Sequence, residues 1–455
     1  MTQAVEAPQS RRRHPAPRRR RDRAPAMVTL LQTLGWAGAA AVVGLWWTDT
    51  ATVVSPADWF IGAGRITGLL AGYACAVLVL LMARVPVLDR TVGTDRLARW
   101  HASAGRYTIG LALAHTVLII EGEALAARTG PLAAGVSVVT GYPEMLKATA
   151  ALVLLLLTAV VSARAARRRL SHETWYFLHL LTYAAVFLGF GHQIANGADL
   201  GRPAVQAAWY ALYLGAAAAV LWFRILTPVR TSLRHRLRVK EVRPEGPGVV
   251  SVVLEGDRLD QLAVRPGQFL RWRFLAPQLW WTASPYSVSA RPDGRTLRVT
   301  VKGLGGHSAA VAHLSPGTRV WVEGPYGALT ADRSGGRPTL LLAAGIGITP
   351  LRVLFETLPS APVLVYWAHR SDDLVLRREL DLIAAGRGAR VLYSVSEPAQ
   401  YRIPVDPGVL GSLVPDVAQR VCYLCGPAEW ADAARSALRA AGVPARRIHE
   451  ESFRF

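Results

Sequence analysis

Cysteine is scarce in this chain: three residues in 455, at Cys75, Cys422 and Cys425. Three cysteines cannot build a disulfide framework, and Cys422-x-x-Cys425 has no second pair with which to close a zinc site. The soluble part is therefore expected to face a reducing compartment. Acidic residues are few as well, 31 Asp and Glu against 52 Lys and Arg, for a formal net charge of +21. Such a balance would ordinarily raise nucleic-acid binding. The arginines, however, are grouped beside apolar runs instead of along one folded face, so the charge reads as a topology signal and no nucleic-acid partner is expected.

What the chain has in quantity is apolar sequence. With 51% hydrophobic residues and a mean hydropathy of +0.24, it is too long for one domain and too apolar for an ordinary soluble enzyme. Six stretches, at about 27–48, 59–83, 101–121, 146–163, 174–194 and 205–226, are long enough to cross a bilayer's hydrocarbon. Arginine crowds alternate flanks: Arg11 to Arg13 and Arg18 to Arg21 before the first, Arg84 to Arg99 after the second, Arg164 to Arg169 after the fourth, and Arg224 to Arg236 at the exit of the sixth. The opposite loops hold only Arg128, Lys147 and Arg202, so the positive-inside rule predicts both termini in the cytoplasm and a multi-pass protein of the cell membrane. Residues 1–26, rich in Arg and Pro, read as a disordered arm; a cleaved signal peptide is not expected, because the following apolar run is as long as a full span.

Two pairs of histidines lie inside these spans: His101 and His115 on the third, His179 and His192 on the fifth. An ionisable group at membrane depth is functional by default. The step from His101 to His115 covers roughly 21 Å of helix and returns to nearly the same face; that from His179 to His192 covers about 20 Å but turns roughly 140° on an ideal helix. Gly189 and Gly191 offer room for a local distortion. Matched depth on two helices suits the axial ligands of two stacked haems, with His101 and His179 inner and His115 and His192 outer; hydrogen bonding to a neighbouring helix is the alternative. Arg65 and Arg106 also fall within spans, where haem propionates would satisfy their charge and snorkelling to headgroups is the competing reading.

From about residue 235 the period changes to short alternating strands, Phe269–Leu275, Tyr286–Ser289, Leu297–Lys302 and Arg319–Glu323, separated by Gly, Pro and Asp turns as in a small antiparallel barrel. A second change follows, where the apolar strand from Thr339 runs into Gly345-Ile-Gly347-Ile-Thr349-Pro350 and a helix-like stretch. Strand, glycine turn and helix start form the arrangement that receives a pyrophosphate. Val363–Trp367, Val391–Val395 and Val421–Leu424 complete an open parallel sheet. The fold class expected is a six-span helical bundle, then an antiparallel β-barrel, then an α/β parallel-sheet domain. The boundaries are 27–226, 227–334 and 335–455.

Residues 60 to 455 resemble the membrane flavocytochromes of the ferric reductase and NADPH oxidase type, whose soluble half is similar to ferredoxin-NADP reductase. The resemblance is carried by the histidine spacing, Ser284-Pro285-Tyr286-Ser287, Gly305-Gly306-His307-Ser308, Glu323-Gly324-Pro325-Tyr326-Gly327, the Gly345 to Pro350 turn, Cys425-Gly426-Pro427 and the ending Glu451-Ser452-Phe453. It implies FAD held by Pro285, Tyr286 and Ser287, with Tyr286 on the isoalloxazine and Ser287 near its redox-active edge, though Ser284 stands where the family has Arg or His. It implies FAD phosphates at Gly305, Gly306, His307 and Ser308. It further implies NADPH or NADH at Gly345, Gly347, Thr349, Pro350, Cys425, Gly426 and Pro427, and Phe453 covering the flavin, with Phe455 as the other candidate. Arg370 and Ser371, after the second parallel strand, incline the reading slightly to NADPH. The implied activity is electron transfer from cytoplasmic NAD(P)H through FAD and two b haems to a small-molecule acceptor outside, either ferric iron, a chelate or oxygen, with no obligatory protein partner. A membrane-anchored flavin reductase serving a cytoplasmic partner, and a non-catalytic scaffold, are the alternatives.

Overall fold

The computed structural model describes residues 24–49, 53–163, 166, 169–170, 172–397 and 404–452. Among these described residues six helices are long and apolar enough to cross a membrane. They are α1 (Ala24–Asp49), α2 (Pro56–Leu81), α3 (Thr94–Ala127), α4 (Met145–Ser162), α5 (His172–Asn196) and α6 (Pro203–Val220). Their starts follow local chemistry. At α2, Ser55 caps the helix, accepting from the Asp58 N–H while the Asp58 carboxylate accepts from the Ser55 N–H, and Pro56 takes the first turn, where its missing donor is not needed. The bulk of the basic arm, residues 1–23, lies outside the described residues, and its last three residues already belong to α1. A short apolar helix, Pro131–Gly141, sits between α3 and α4. At about 1.5 Å per residue it is too short to span.

The most enclosed of the six is α2, and a stripe of small residues explains why. A Cβ added at Gly64 would stand 2.7 Å from Ile119, at Gly68 2.5 Å from the His115 ring and at Gly72 2.7 Å from Gln193. Glycine every fourth residue keeps one face of α2 flat, so α3 and α5 close onto its backbone.

The sixth helix does not stop at the expected boundary of 227. It runs through a π turn, Leu221–Leu226, into α7 (Thr227–His235) and delivers the chain directly to the first strand. That half holds two three-stranded antiparallel sheets, ordered β1-β2-β5 and β4-β3-β6. The strands are β1 (Arg238–Gly246), β2 (Val249–Glu255), β3 (Phe269–Phe274), β4 (Ser284–Ser287), β5 (Thr296–Lys302) and β6 (Val320–Tyr326). Single bridges join the sheets at both edges, Arg238 with Arg319 and Val288 with Val299. Trp272, Phe274, Leu254 and Val299 lie in the one core between them.

The last element is a five-stranded parallel sheet ordered β11-β10-β7-β8-β9. It comprises β7 (Thr339–Ala344), β8 (Val363–Ala368), β9 (Arg390–Val395), β10 (Val421–Gly426) and β11 (Ile448–Ser452). The central strands are buried at every position, and apolar but for Thr339 at the start of β7, because both faces are covered. Leu341, Tyr366 and Tyr423 pack on one side and Leu340, Val365 and Leu424 on the other. Helix α8 (Ile348–Thr357) follows β7, and α9 (Arg377–Arg387) precedes β9.

Candidate functional site

The four span histidines meet in two pairs. His101 on α3 faces His179 on α5 with ring centres 5.9 Å apart, and His115 faces His192 at 6.3 Å. Backbone carbonyls of α2 orient the rings on α3: His101 Nδ1 lies 3.2 Å from the Leu78 oxygen and His115 Nδ1 2.8 Å from that of Gly64. A ring that donates from Nδ1 turns its Nε2 lone pair to the opposite side. On α5, Trp175 stacks on His179 with centres 5.1 Å apart. Glycine 68 makes the outer pair sterically possible, and its spacing from Gly64 and Gly72 was the sequence signal that would have revealed it.

The two span arginines sit in different surroundings. Arg65 is paired within the protein with Asp199, through Nε to Oδ2 at 3.0 Å and Nη2 to Oδ1 at 2.6 Å. Asp199 lies in the turn before α6, 134 residues away, and is 2% exposed. Arg106 is exposed. Five residues beyond His101, it points roughly 140° away from the ring face, so it does not join the histidine pairs.

Beneath the inner pair lies a cleft of about 660 Å³ between the halves, walled by Thr174 and Phe177 of α5 and by Trp281, Ser284, Tyr286 and Leu304 to Ser308. Ser284 and Tyr286 share one side of β4, and the Trp272 indole N–H donates to the Tyr286 carbonyl at 2.9 Å. Ser287 points to the other side, as alternation along a strand requires, and is not among the residues walling this cleft. Its hydroxyl is buried without a protein partner among the described residues. Gly305 holds a φ of +102° that turns the chain into the cleft wall. The Ser308 hydroxyl is engaged by this turn itself, accepting from Leu304 N–H and donating to Gly305 O. His307 is ringed by Trp281 at 5.9 Å.

A second cleft of about 350 Å³ opens at the carboxyl ends of the parallel strands. Gly345, Ile346 and Pro427 wall it, together with residues the sequence reading missed: Trp367, His369, Trp430 and, from β5, Lys302. Trp367 and Trp430 meet at 5.4 Å, and the Trp430 indole N–H is buried without a partner among the described residues. Gly347, Thr349 and Cys425 lie below this surface. Thr349 Oγ1 donates to Ile346 O at 3.1 Å, and a Cβ at Gly347 would fall 2.1 Å from the Cys425 carbonyl oxygen. Cys425 is fully buried and opens onto one face of the sheet, Cys422 onto the other. Burial pushes the Cys422 thiol up to about 12, so it stays protonated. Arg370 lies 3.5 Å from Glu397 and well exposed, outside the cleft wall. Strand β11 pairs Ser452 with Gly426, and Phe453 and Phe455 lie outside the described residues.

Residues 67–190 match the family model described as "Ferric reductase like transmembrane component". That stretch contains His101, His115 and His179 and ends two residues before His192. The chain is 32% identical over 227 residues to the ferredoxin reductase component of 3-ketosteroid-9-alpha-monooxygenase from Mycolicibacterium smegmatis (strain ATCC 700084 / mc(2)155), covering 48% of this chain and 64% of that one. It is 29% identical over 228 residues to the stachydrine N-demethylase reductase subunit of Rhizobium meliloti (strain 1021), covering 46% and 64%. It thus spans just under two thirds of the length of these relatives. Among solved structures, the flavohem-like FAD/NAD binding domain of nitric oxide dioxygenase from Vibrio cholerae O1 biovar El Tor is 25% identical, with 48% and 98% covered and a TM-score of 0.43.

Proposed function

We propose that this chain, a ferric-reductase-like transmembrane domain followed by a ferredoxin-reductase-like flavin domain, is a transmembrane oxidoreductase. It would take reducing equivalents from cytoplasmic NAD(P)H and pass electrons to a small-molecule acceptor, ferric iron or oxygen, at the outer face. The observation that carries this reading is helix α5: Thr174 and Phe177 wall the larger cleft, and His179 of the inner pair follows Phe177 by two residues. At about 1.5 Å per residue, the cleft wall and the inner imidazole are within one or two helical turns.

The residues present fit the cofactors implied. Among the described residues no cluster of three or more His, Cys, Asp or Glu suits a bare metal ion, yet two metal–nitrogen bonds of about 2 Å each would put facing imidazole centres about 6 Å apart. The observed 5.9 and 6.3 Å match that spacing. His101 with His179, and His115 with His192, would hold two b haems. Tyr286, Pro285, Gly305, Gly306, His307 and Ser308 would hold FAD around the larger cleft, with the unpartnered Ser287 hydroxyl buried behind it. Gly345, Gly347, Thr349, Pro350, Gly426 and Pro427 would receive the nicotinamide dinucleotide, and Cys425 would support its ring from beneath. When bound, the flavin would divide a two-electron hydride into single electrons and the haems would relay them. The protein's share is to orient: Leu78 and Gly64 carbonyls fix the tautomer of the α3 histidines, and Trp175 holds His179 flat. Phe453, one residue beyond the paired Ser452, would cover the flavin. The two antiparallel sheets, bridged at both edges, read as one barrel-like FAD domain over 227–334 ahead of a nucleotide domain over 335–455. The arginine asymmetry supports cytoplasmic soluble domains and the cell membrane as the location.

The curated relatives favour one other reading, since both are reductase components of larger systems: an anchored flavin reductase serving a cytoplasmic protein. One experiment separates the two. In vesicles oriented with the soluble half inside and loaded with NAD(P)H, a membrane-impermeant ferric chelate outside should be reduced. Reduction only of acceptors that share the soluble domain's compartment, with no haem absorbance in the purified protein, would install the anchored reductase instead.

A further inference from the structure

The outer face of the sheet β4-β3-β6 is turned toward the membrane half. Arg271 and Glu323, paired across β3 and β6 on that face, lie 3.6 Å apart, and Arg271 is near enough to Arg84, Tyr176 and Arg224 of the membrane half to feel their charge. Arg84 in turn sits over the Tyr326 ring, 4.9 Å from its centre. Two residues further along each strand, on the same face, are Arg273 and Trp321. There the covering by protein ends. Trp321 and Leu275 are 37% exposed and Trp280, whose carbonyl accepts from Arg273 Nη1 at 2.9 Å, is 61% exposed.

The depth of this strip is marked from two sides. The neighbouring Trp281 touches Phe177 on α5, ring centres 5.8 Å apart, close to where the apolar span begins at Thr174. On the other side α7 packs on β6, Ser232 Oγ accepting from the Val322 N–H at 3.1 Å, and Arg230 lies over the Trp222 ring at 5.7 Å where the sixth span ends. Tryptophan and arginine together at a span's end are the mark of the headgroup layer. Charge agrees. Residues 273–281 and 226–238 contain no Asp or Glu, while they carry Arg273, Arg230, Arg234, Arg236 and Arg238, and exposed Arg319 follows on β6's leading edge.

We propose that this strip, Arg273, Leu275, Trp280, Arg319 and Trp321, docks the flavin-side sheets onto anionic phospholipid headgroups of the inner leaflet that the spans cross. The indoles and Leu275 enter the interfacial layer and the guanidinium groups take lipid phosphates, as a second anchor beside the covalent one through α7. The proposal rests on the spans crossing a bilayer and not on the redox reading, so its test needs no turnover.

The full chain is reconstituted in nanodiscs of phosphatidylcholine alone and of phosphatidylcholine with phosphatidylglycerol. A fluorophore at Trp280→Cys should be quenched by headgroup-proximal spin-labelled lipid about threefold more than one at Leu382→Cys, an exposed position on the nucleotide domain, and by aqueous iodide correspondingly less. In the unaltered protein, amide hydrogen exchange across 273–281 should be about tenfold slower in the anionic discs than in the neutral ones, and Arg273→Glu with Arg319→Glu should abolish that difference. Iodide reaching position 280 as freely as 382, as it would if a protein partner were meant to cover the strip, or protection that ignores lipid charge, overturns the proposal. Loss of flavin would change exchange near Trp281 equally in both kinds of disc, so the difference between anionic and neutral discs reads the lipid alone, and loss of haem or flavin would bear only on the redox reading.

Discussion

A carboxylate that is 2% exposed holds the charge of Arg65 inside the membrane half. Removing one partner of such a pair strands the other in a poorly solvated place. Asp199→Leu should therefore destabilise the bundle by about 3 kcal/mol, the low end for a broken buried pair because Arg65 keeps 22% of its side chain exposed. Arg65→Met with Asp199→Leu should recover most of that loss in thermal unfolding of the detergent-solubilised protein. The histidines predict a different signature. His115→Ala or His192→Ala should halve the haem-to-protein ratio while flavin reduction by NAD(P)H continues, since neither residue borders the larger cleft. Unchanged haem spectra in both variants would count against paired ligation.

Elements impose their own constraints. Within the flat stripe on α2 it is Gly68 that admits the His115 ring, so Gly68→Ala, which would put a methyl 2.5 Å from Nδ1, should cost about 1–3 kcal/mol and deplete the proposed outer haem. Gly215→Ala on α6, with nothing within 4 Å, is the matched control. In the soluble half, the antiparallel and parallel sheets are clamped by one carboxylate. Glu379 on α9 receives Arg298 of β5 through Nη1 and Nη2, at 2.5 and 2.8 Å, and Arg352 of α8 through Nε at 2.9 Å. Burial alone would raise this carboxyl, but the two arginines hold it below its ordinary value of 4.5. A folded-state value below the unfolded one gives stability that is complete above the ordinary value and is lost as pH falls through the folded one. Glu379→Gln should thus flatten the acid side of the melting-temperature profile below about pH 5 and leave the neutral side parallel to the parent.

For the whole molecule, the larger cleft belongs to neither half alone, because α5 supplies one wall and β4 with the Gly305 turn the other. Electron delivery across the membrane, as proposed above, would have an electrical consequence. Each electron moved outward leaves the inside more positive, and that self-generated potential opposes the next by about 2.3 kcal/mol per 100 mV, so uncompensated turnover should stall. In sealed, oriented proteoliposomes, external ferric chelate reduction driven by internal NAD(P)H should speed up several-fold when a protonophore is added. A rate indifferent to the protonophore would mean that electrons do not cross.

Six apolar runs, the alternation of arginine between loops, and the change from helical to strand periodicity near residue 235 were determined by the sequence itself, because each rests on local composition. The run from Thr339 was legible as a fully buried strand for the same reason, and its observed limits are Thr339–Ala344. Equal depth of the histidines, and with it the pairing of His101 with His179 and of His115 with His192, was legible from residue rise and the charged flanks, but how near the facing rings come depended on how closely α2, α3 and α5 pack. That closeness came from three glycines whose meaning lies in a neighbouring helix. Asp199 could not be matched to Arg65 across 134 residues by any local rule. Nor could the sequence say that Trp367, Trp430 and Lys302 would converge on one cleft, or that Arg106 would face outward. Those outcomes were decided by tertiary structure, because a side chain's partners are set by long-range packing, while its tendency to be buried or to alternate is set by its neighbours in the chain.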